Sequence, residues 1–165
     1  MRGVSGKISN EIQNAFVQRT TEALRIFPET AGRRVALCAY ISDGLDKAGI
    51  PHSVALGSLS CNGLKTFQYR KAFPSNPKGP IIWEGHTWIE LDGYIGEPSL
   101  LRTARAQSVG SNLRRHLEHL GIIDRGAILM DEQSRREFGL KYFRKETLKK
   151  TMIEPLIAGL ISENP

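Results

Sequence analysis

The sequence predicts an α+β domain, with helices first, an antiparallel sheet in the middle and helices last. Apolar residues recur at helical spacing toward the N-terminus, alternating segments flank Asp92-Gly93, and helical spacing returns in the last third. At 165 residues the chain suits one domain, 1–165, which can bury a core without metal or disulfide staples. With 40% hydrophobic and 24% charged residues it belongs with globular rather than disordered chains.

Residues 8–27 carry Ile8, Ile12, Phe16, Val17, Leu24 and Phe27 mostly at helical spacing, which predicts an amphipathic helix ending before Pro28. A second helix is expected over 34–48, stopped by Gly49 and Pro51, with Cys38, Ile41, Leu45 and Ala48 on one stripe. Val54-Ala55-Leu56 reads as a strand and Ser60-Cys61-Asn62-Gly63 as an exposed turn. The prolines of 71–80 predict a loop, and Ile81-Ile82-Trp83 adds β character. Beyond Pro98 the pattern predicts a basic connection and a short helix at 111–120. A looser region near 125–140 follows, then a helical segment over 146–162 bent or split at Pro155.

The segment from Gly85 to Pro98 carries most of the functional signal. Asp-Gly between alternating residues reads as a two-residue hairpin, because both turn positions need positive φ. That register sets Leu91 opposite Tyr94, Glu90 opposite Ile95, Ile89 opposite Gly96 and Trp88 opposite Glu97. His86, Trp88, Glu90, Ile95, Glu97 and Ser99 then share a sheet face. Glu97 lies diagonal to His86, roughly 7–8 Å away, within reach of an imidazole nitrogen. Asp92 is excluded as that acid by roughly 20 Å of strand, and Glu90 by roughly 13 Å.

A histidine held by a carboxylate is two thirds of a nucleophilic triad, and Cys38 is the candidate for the rest. It lies near a helix start, where free amides and the dipole stabilise a thiolate, and Arg33 and Arg34 add positive potential. The plainer reading makes Cys38 a small core residue among Val35, Ala36, Leu37 and Ala39. Cys61 ranks below it. His52 follows Pro51 at a strand start, and His116 and His119 read as a solvated helix face without a third metal ligand. No cofactor and no metal site is expected.

The net charge of +6 sits largely in the last third, interleaved with glutamates and poor in aromatics. That predicts solvated helix faces and makes nucleic acid an unlikely partner. No apolar run reaches the length of a membrane span. The first residues lack the apolar core of a secretory signal, so a cytoplasmic location and free thiols are expected.

Cys38 at a helix start, Ala48-Gly49-Ile50-Pro51 leading into Val54-Ala55-Leu56-Gly57, and Gly85-His86-Thr87-Trp88-Ile89-Glu90-Leu91-Asp92-Gly93 together resemble the transglutaminase-like branch of the papain-like superfamily. The resemblance spans about 33–100 and includes the order cysteine, histidine, acid. It implies N-terminal helices packed on a small antiparallel sheet, a catalytic core over about 33–100 and a C-terminal helical extension over about 108–162. It also implies a cysteine hydrolase or acyl transferase acting on peptide or amide bonds. Cys38 would attack and form a thioester, His86 would move the proton, and Glu97 would fix the ring tautomer. The family usually has aspartate where Glu97 stands. The alternative is a catalytically inactive module of the same branch that recognises a protein or peptide partner.

Overall fold

The computed structural model describes residues 8–29, 32–75, 81, 83–107 and 111–163. Residues 1–7, the prolines at 77 and 80, Ile82 and the first residues of the expected extension (108–110) lie outside them.

Helix α1 (Asn10–Ile26) starts where the Ser9 hydroxyl accepts a hydrogen bond from the Ile12 amide, and it buries Phe16, Thr20, Ala23 and Leu24. Helix α2 (Arg34–Lys47) buries Val35, Leu37, Cys38, Ala39, Ile41, Ser42 and Leu45, too broad a stripe for an exposed helix. Strand β1 (Ser53–Cys61) turns through Asn62-Gly63 into β2 (Leu64–Phe67). Strands β3 (His86–Leu91) and β4 (Tyr94–Glu97) flank Asp92 and Gly93, whose φ angles of 47° and 81° suit the expected tight turn. Leu91 pairs with Tyr94, Glu90 with Ile95 and Ile89 with Gly96, as the alternation predicts.

The last third departs from expectation. It holds α3 (Leu100–Ala106), α4 (Asn112–His119), β5 (Ile128–Met130), α5 (Glu132–Glu137), β6 (Leu140–Thr147), a 3₁₀ turn (Lys150–Met152) and α6 (Ile153–Glu163). The extension is therefore not purely helical, because β5 and β6 complete the sheet. Strand order is β2-β1-β3-β4-β5, with β6 pairing along β1, and every pairing is antiparallel. Strand β6 is dense in charge, as a sheet edge requires, and its charges hide the alternation. Pro155 does not split α6: it stands in the first turn, where its missing amide has no helical partner to lose.

Two further expectations are corrected. Cys61 is not in an exposed turn; it ends β1, paired with Leu64, and is buried. Ile81 and Trp83 belong to no strand. The Trp83 ring packs edge-on against Tyr69 and Phe73, and its indole N–H donates to the Lys71 carbonyl at 2.9 Å.

The sheet is covered on both faces. Val54, Leu56, Ile89 and Leu91 join residues of α1, α2 and α6 in one apolar cluster. Ala55, Trp88, Ile95 and Met130 join residues of α3 and α4 in the other. Neighbouring strand residues feed opposite clusters because the pleat alternates. Gly96 faces the first cluster, and the Phe16 ring occupies the space a side chain there would need.

Candidate functional site

His86 opens β3 and Glu97 closes β4, so the tight turn between them fixes their separation. The His86 Nε2–Glu97 Oε1 distance is 2.6 Å, and both side chains are fully buried. The expected histidine–acid pair is present. Its surroundings hold Tyr142 and Phe67, for which the linear sequence gave no role, and Arg34, expected beside Cys38 instead. The Tyr142 hydroxyl of β6 donates to Glu97 Oε1 at 2.8 Å. The Phe67 ring of β2 stacks on the imidazole, with centroids 4.7 Å apart. Arg34, first residue of α2, lies 3.3 Å from His86 Nδ1 and donates to the Gly85 carbonyl at 3.3 Å. Its guanidinium also lies over Phe67, 4.4 Å from the ring centre.

Arg34 decides the tautomer. A guanidinium can only donate, so Nδ1 accepts and the ring proton sits on Nε2, where it is given to Glu97. Nδ1 is the nitrogen left for taking a proton from a nucleophile, and an arginine already occupies it. Burial lowers the Arg34 pKa, opposed by the negative potential of Glu97.

Cys38 does not join the pair. It is the fifth residue of α2, one helical turn deeper than Arg34, and belongs to the apolar cluster of α1, α2 and α6. The strand residue beside it is Thr87, which points to the opposite face from His86. No hydrogen bond joins Cys38 to His86 among the described residues. The Cys38 thiol is fully buried and its pKa is pushed up to about 12, chiefly by desolvation, with Thr87 and Arg34 opposing the rise. The helix start that should have activated a thiol therefore presents Arg34 instead. A four-residue step back from Cys38 is the only sequence signal that could have pointed to it.

Of the other histidines, His119 is exposed on α4 as expected, whereas His52 and His116 are structural. His52 Nε2 meets the Ser42 hydroxyl at 2.6 Å and Nδ1 meets the Ile50 carbonyl at 2.8 Å, which ties β1 to the end of α2. His116 is not simply solvated; its Nε2 meets the Phe138 carbonyl at 2.7 Å. No cluster of potential metal ligands occurs among the described residues. No described helix is long and apolar enough to cross a membrane.

The buried acids predict alkaline sensitivity. An unfolded cysteine ionises near 9, whereas Cys38 in the fold holds its proton to about 12. Tyr142 is raised well above 10 by burial and by Glu97. The unfolded chain thus binds fewer protons above pH 9, so stability is intact below that pH and falls as pH rises toward 12. Each group contributes up to about 1.4 kcal/mol per pH unit. Urea midpoints at pH 8, 9, 10 and 11 should fall progressively, and less steeply in Cys38→Ala. A flat profile would contradict the buried state of these groups.

Comparison of the chain with family models, curated proteins and solved structures found no match.

Proposed function

We propose that the chain is a transglutaminase-like domain without thiol catalysis, which recognises a peptide or protein partner. The order α2, β1, β3, β4 and the His86–Glu97 pair across β3 and β4 support the domain type. One observation carries the silent reading: the sheet separates the Cys38 sulfur from the imidazole, whose open nitrogen is filled by Arg34. A cysteine hydrolase needs thiol and imidazole in contact on one face, and a pKa near 12 leaves almost no thiolate at neutral pH. In this reading the buried polar cluster is a fastener that locks α2, β3, β4 and β6 together.

Thiol reactivity tests it. Iodoacetamide at pH 7.5 is expected to leave Cys38 and Cys61 unmodified in the folded protein and to label both in denaturant. Alkylation of native Cys38 faster than a free thiol, with hydrolysis of an amide substrate lost in Cys38→Ala, would restore the enzyme reading.

A further inference from the structure

Ser58 and Ser60 of β1 lie on the same sheet face as Val54 and Leu56, because a strand returns to one face at every second residue. Helices α1, α2 and α6 pack on the Val54 end of that face. At the serine end a groove of about 260 Å³ stays open, lined by strand residues and the segment after β2 but by no helix. Ser60 stands opposite Lys65 on one side and opposite Lys141 on the other, and Ser58 stands opposite Phe143. Directly opposed residues share a face, so two lysines roughly 10 Å apart bracket a serine.

Lys65, Arg70 and Lys145 line the groove, and no carboxylate does. Of the three, only Arg70 has an acidic partner among the described residues, Glu84 at 3.6 Å. Ser58 Oγ accepts from the Tyr69 amide at 2.8 Å and keeps its own proton to give. Phe143 is 43% exposed and belongs to neither apolar cluster. The Lys141 ammonium lies over its ring, 5.4 Å from the centre. A second cleft, of about 460 Å³, meets the groove at Ser60 and is lined by Arg135, Arg136 and Lys141. Its one carboxylate, Glu132, is paired with Arg136. Along the chain these cations alternate with glutamates, which speaks against a nucleic-acid groove. The fold separates them: Glu146 of β6 accepts the Tyr69 hydroxyl at 2.6 Å and lines neither cleft.

We propose that this sheet face binds single-stranded nucleic acid, with a base stacked on Phe143 and phosphates on Lys65, Lys141 and Lys145. Cations and serine hydroxyls suit phosphate oxygens, and an exposed flat ring among them suits a base. The basic track runs through two joined clefts, which is longer than one nucleotide needs. An acidic peptide would use the cations and leave the ring unmatched. Neither Cys38 nor His86 takes part, so the inference stands independently of the silent-module reading.

Fluorescence anisotropy of labelled oligothymidylate with the full chain tests it. A Kd of about 1–100 μM is expected at about 50 mM salt. Log Kd should rise with log salt with a slope of about 2 or more, as three or more phosphate contacts require. Lys65→Gln and Lys145→Gln should each weaken binding about threefold or more and lower the slope by about 0.7. Lys47→Gln makes the same charge change on α2 and should alter neither. Phe143→Ile keeps strand preference and bulk but removes the flat ring, so about tenfold weaker binding is expected; Phe143→Tyr should retain it. Circular dichroism checks that the variants fold. An abasic strand of equal length, polyglutamate and thymidine monophosphate should each compete about tenfold less well than the oligomer. No binding, equal weakening by Lys47→Gln, or indifference to Phe143→Ile would overturn the site. Polyglutamate competing as well as the strand would overturn the assignment in favour of an acidic protein segment. Equally good competition by the abasic strand would overturn the stacking, and by the mononucleotide the strand.

Discussion

Glu97→Ala is expected to lower the unfolding free energy by about 3 kcal/mol, measured by urea denaturation at neutral pH. Glu97 Oε1 is the acceptor for both the His86 Nε2 proton and the Tyr142 hydroxyl; His86 and Glu97 are fully buried and Tyr142 is half-buried. Alanine leaves the buried His86 donor and the half-buried Tyr142 donor unpaired, removes the negative potential that offsets Arg34, and opens a void. One term acts the other way. Among the described residues Glu97 Oε2 is buried without a hydrogen-bond partner, so deleting the carboxylate also relieves a desolvation penalty. Two stranded donors and a less compensated guanidinium outweigh that relief. Glu97→Gln separates the contributions: its carbonyl still accepts at the Oε1 position, so the expected loss is smaller, about 1–2 kcal/mol. Equal stability of wild type and Glu97→Ala would mean that the cluster holds nothing together.

Gly57→Ala should be as damaging, by about 3 kcal/mol or more, for a steric reason. Gly57 lies at an irregularity in the pairing of β1 with β6, opposite Arg144. A Cβ there would fall 1.9 Å from the Phe143 carbonyl oxygen and 3.0 Å from the Arg144 Cα. Both are backbone atoms in a paired strand, so no side-chain rotation relieves the overlap. The strands must separate, and with them goes the placement of Tyr142 on Glu97. The expected signature is a lower melting temperature with lost hydrogen-exchange protection along β6. Gly126→Ala is the control, because nothing lies within 4 Å of its Cβ and no change is expected. Unchanged protection of β6 in Gly57→Ala would show that the strand is not held there.

The hairpin was legible because its determinants are local. Asp92-Gly93 sets the turn, the two-residue period sets the face, and the counting from the turn brings His86 to Glu97. Helices α1 and α2 were equally plain, since their apolar spacing is read within one segment. Elements of the last third were not. In α3, three buried residues in seven leave too short a pattern. In β6, Phe143 is exposed on an edge and charges interrupt the alternation.

Residue order alone therefore determined the mixed α+β class, the tight turn and the pairing of His86 with Glu97, because each follows from spacing along a few consecutive residues. Only the tertiary structure decided which face of the sheet α2 covers. That choice places Cys38 with Thr87 and Ile89 on one side and His86 with Trp88 on the other, and it brings Arg34 rather than a thiol to the imidazole. The reason is physical: a strand period fixes which residues share a face, but the packing of distant apolar surfaces fixes what that face meets.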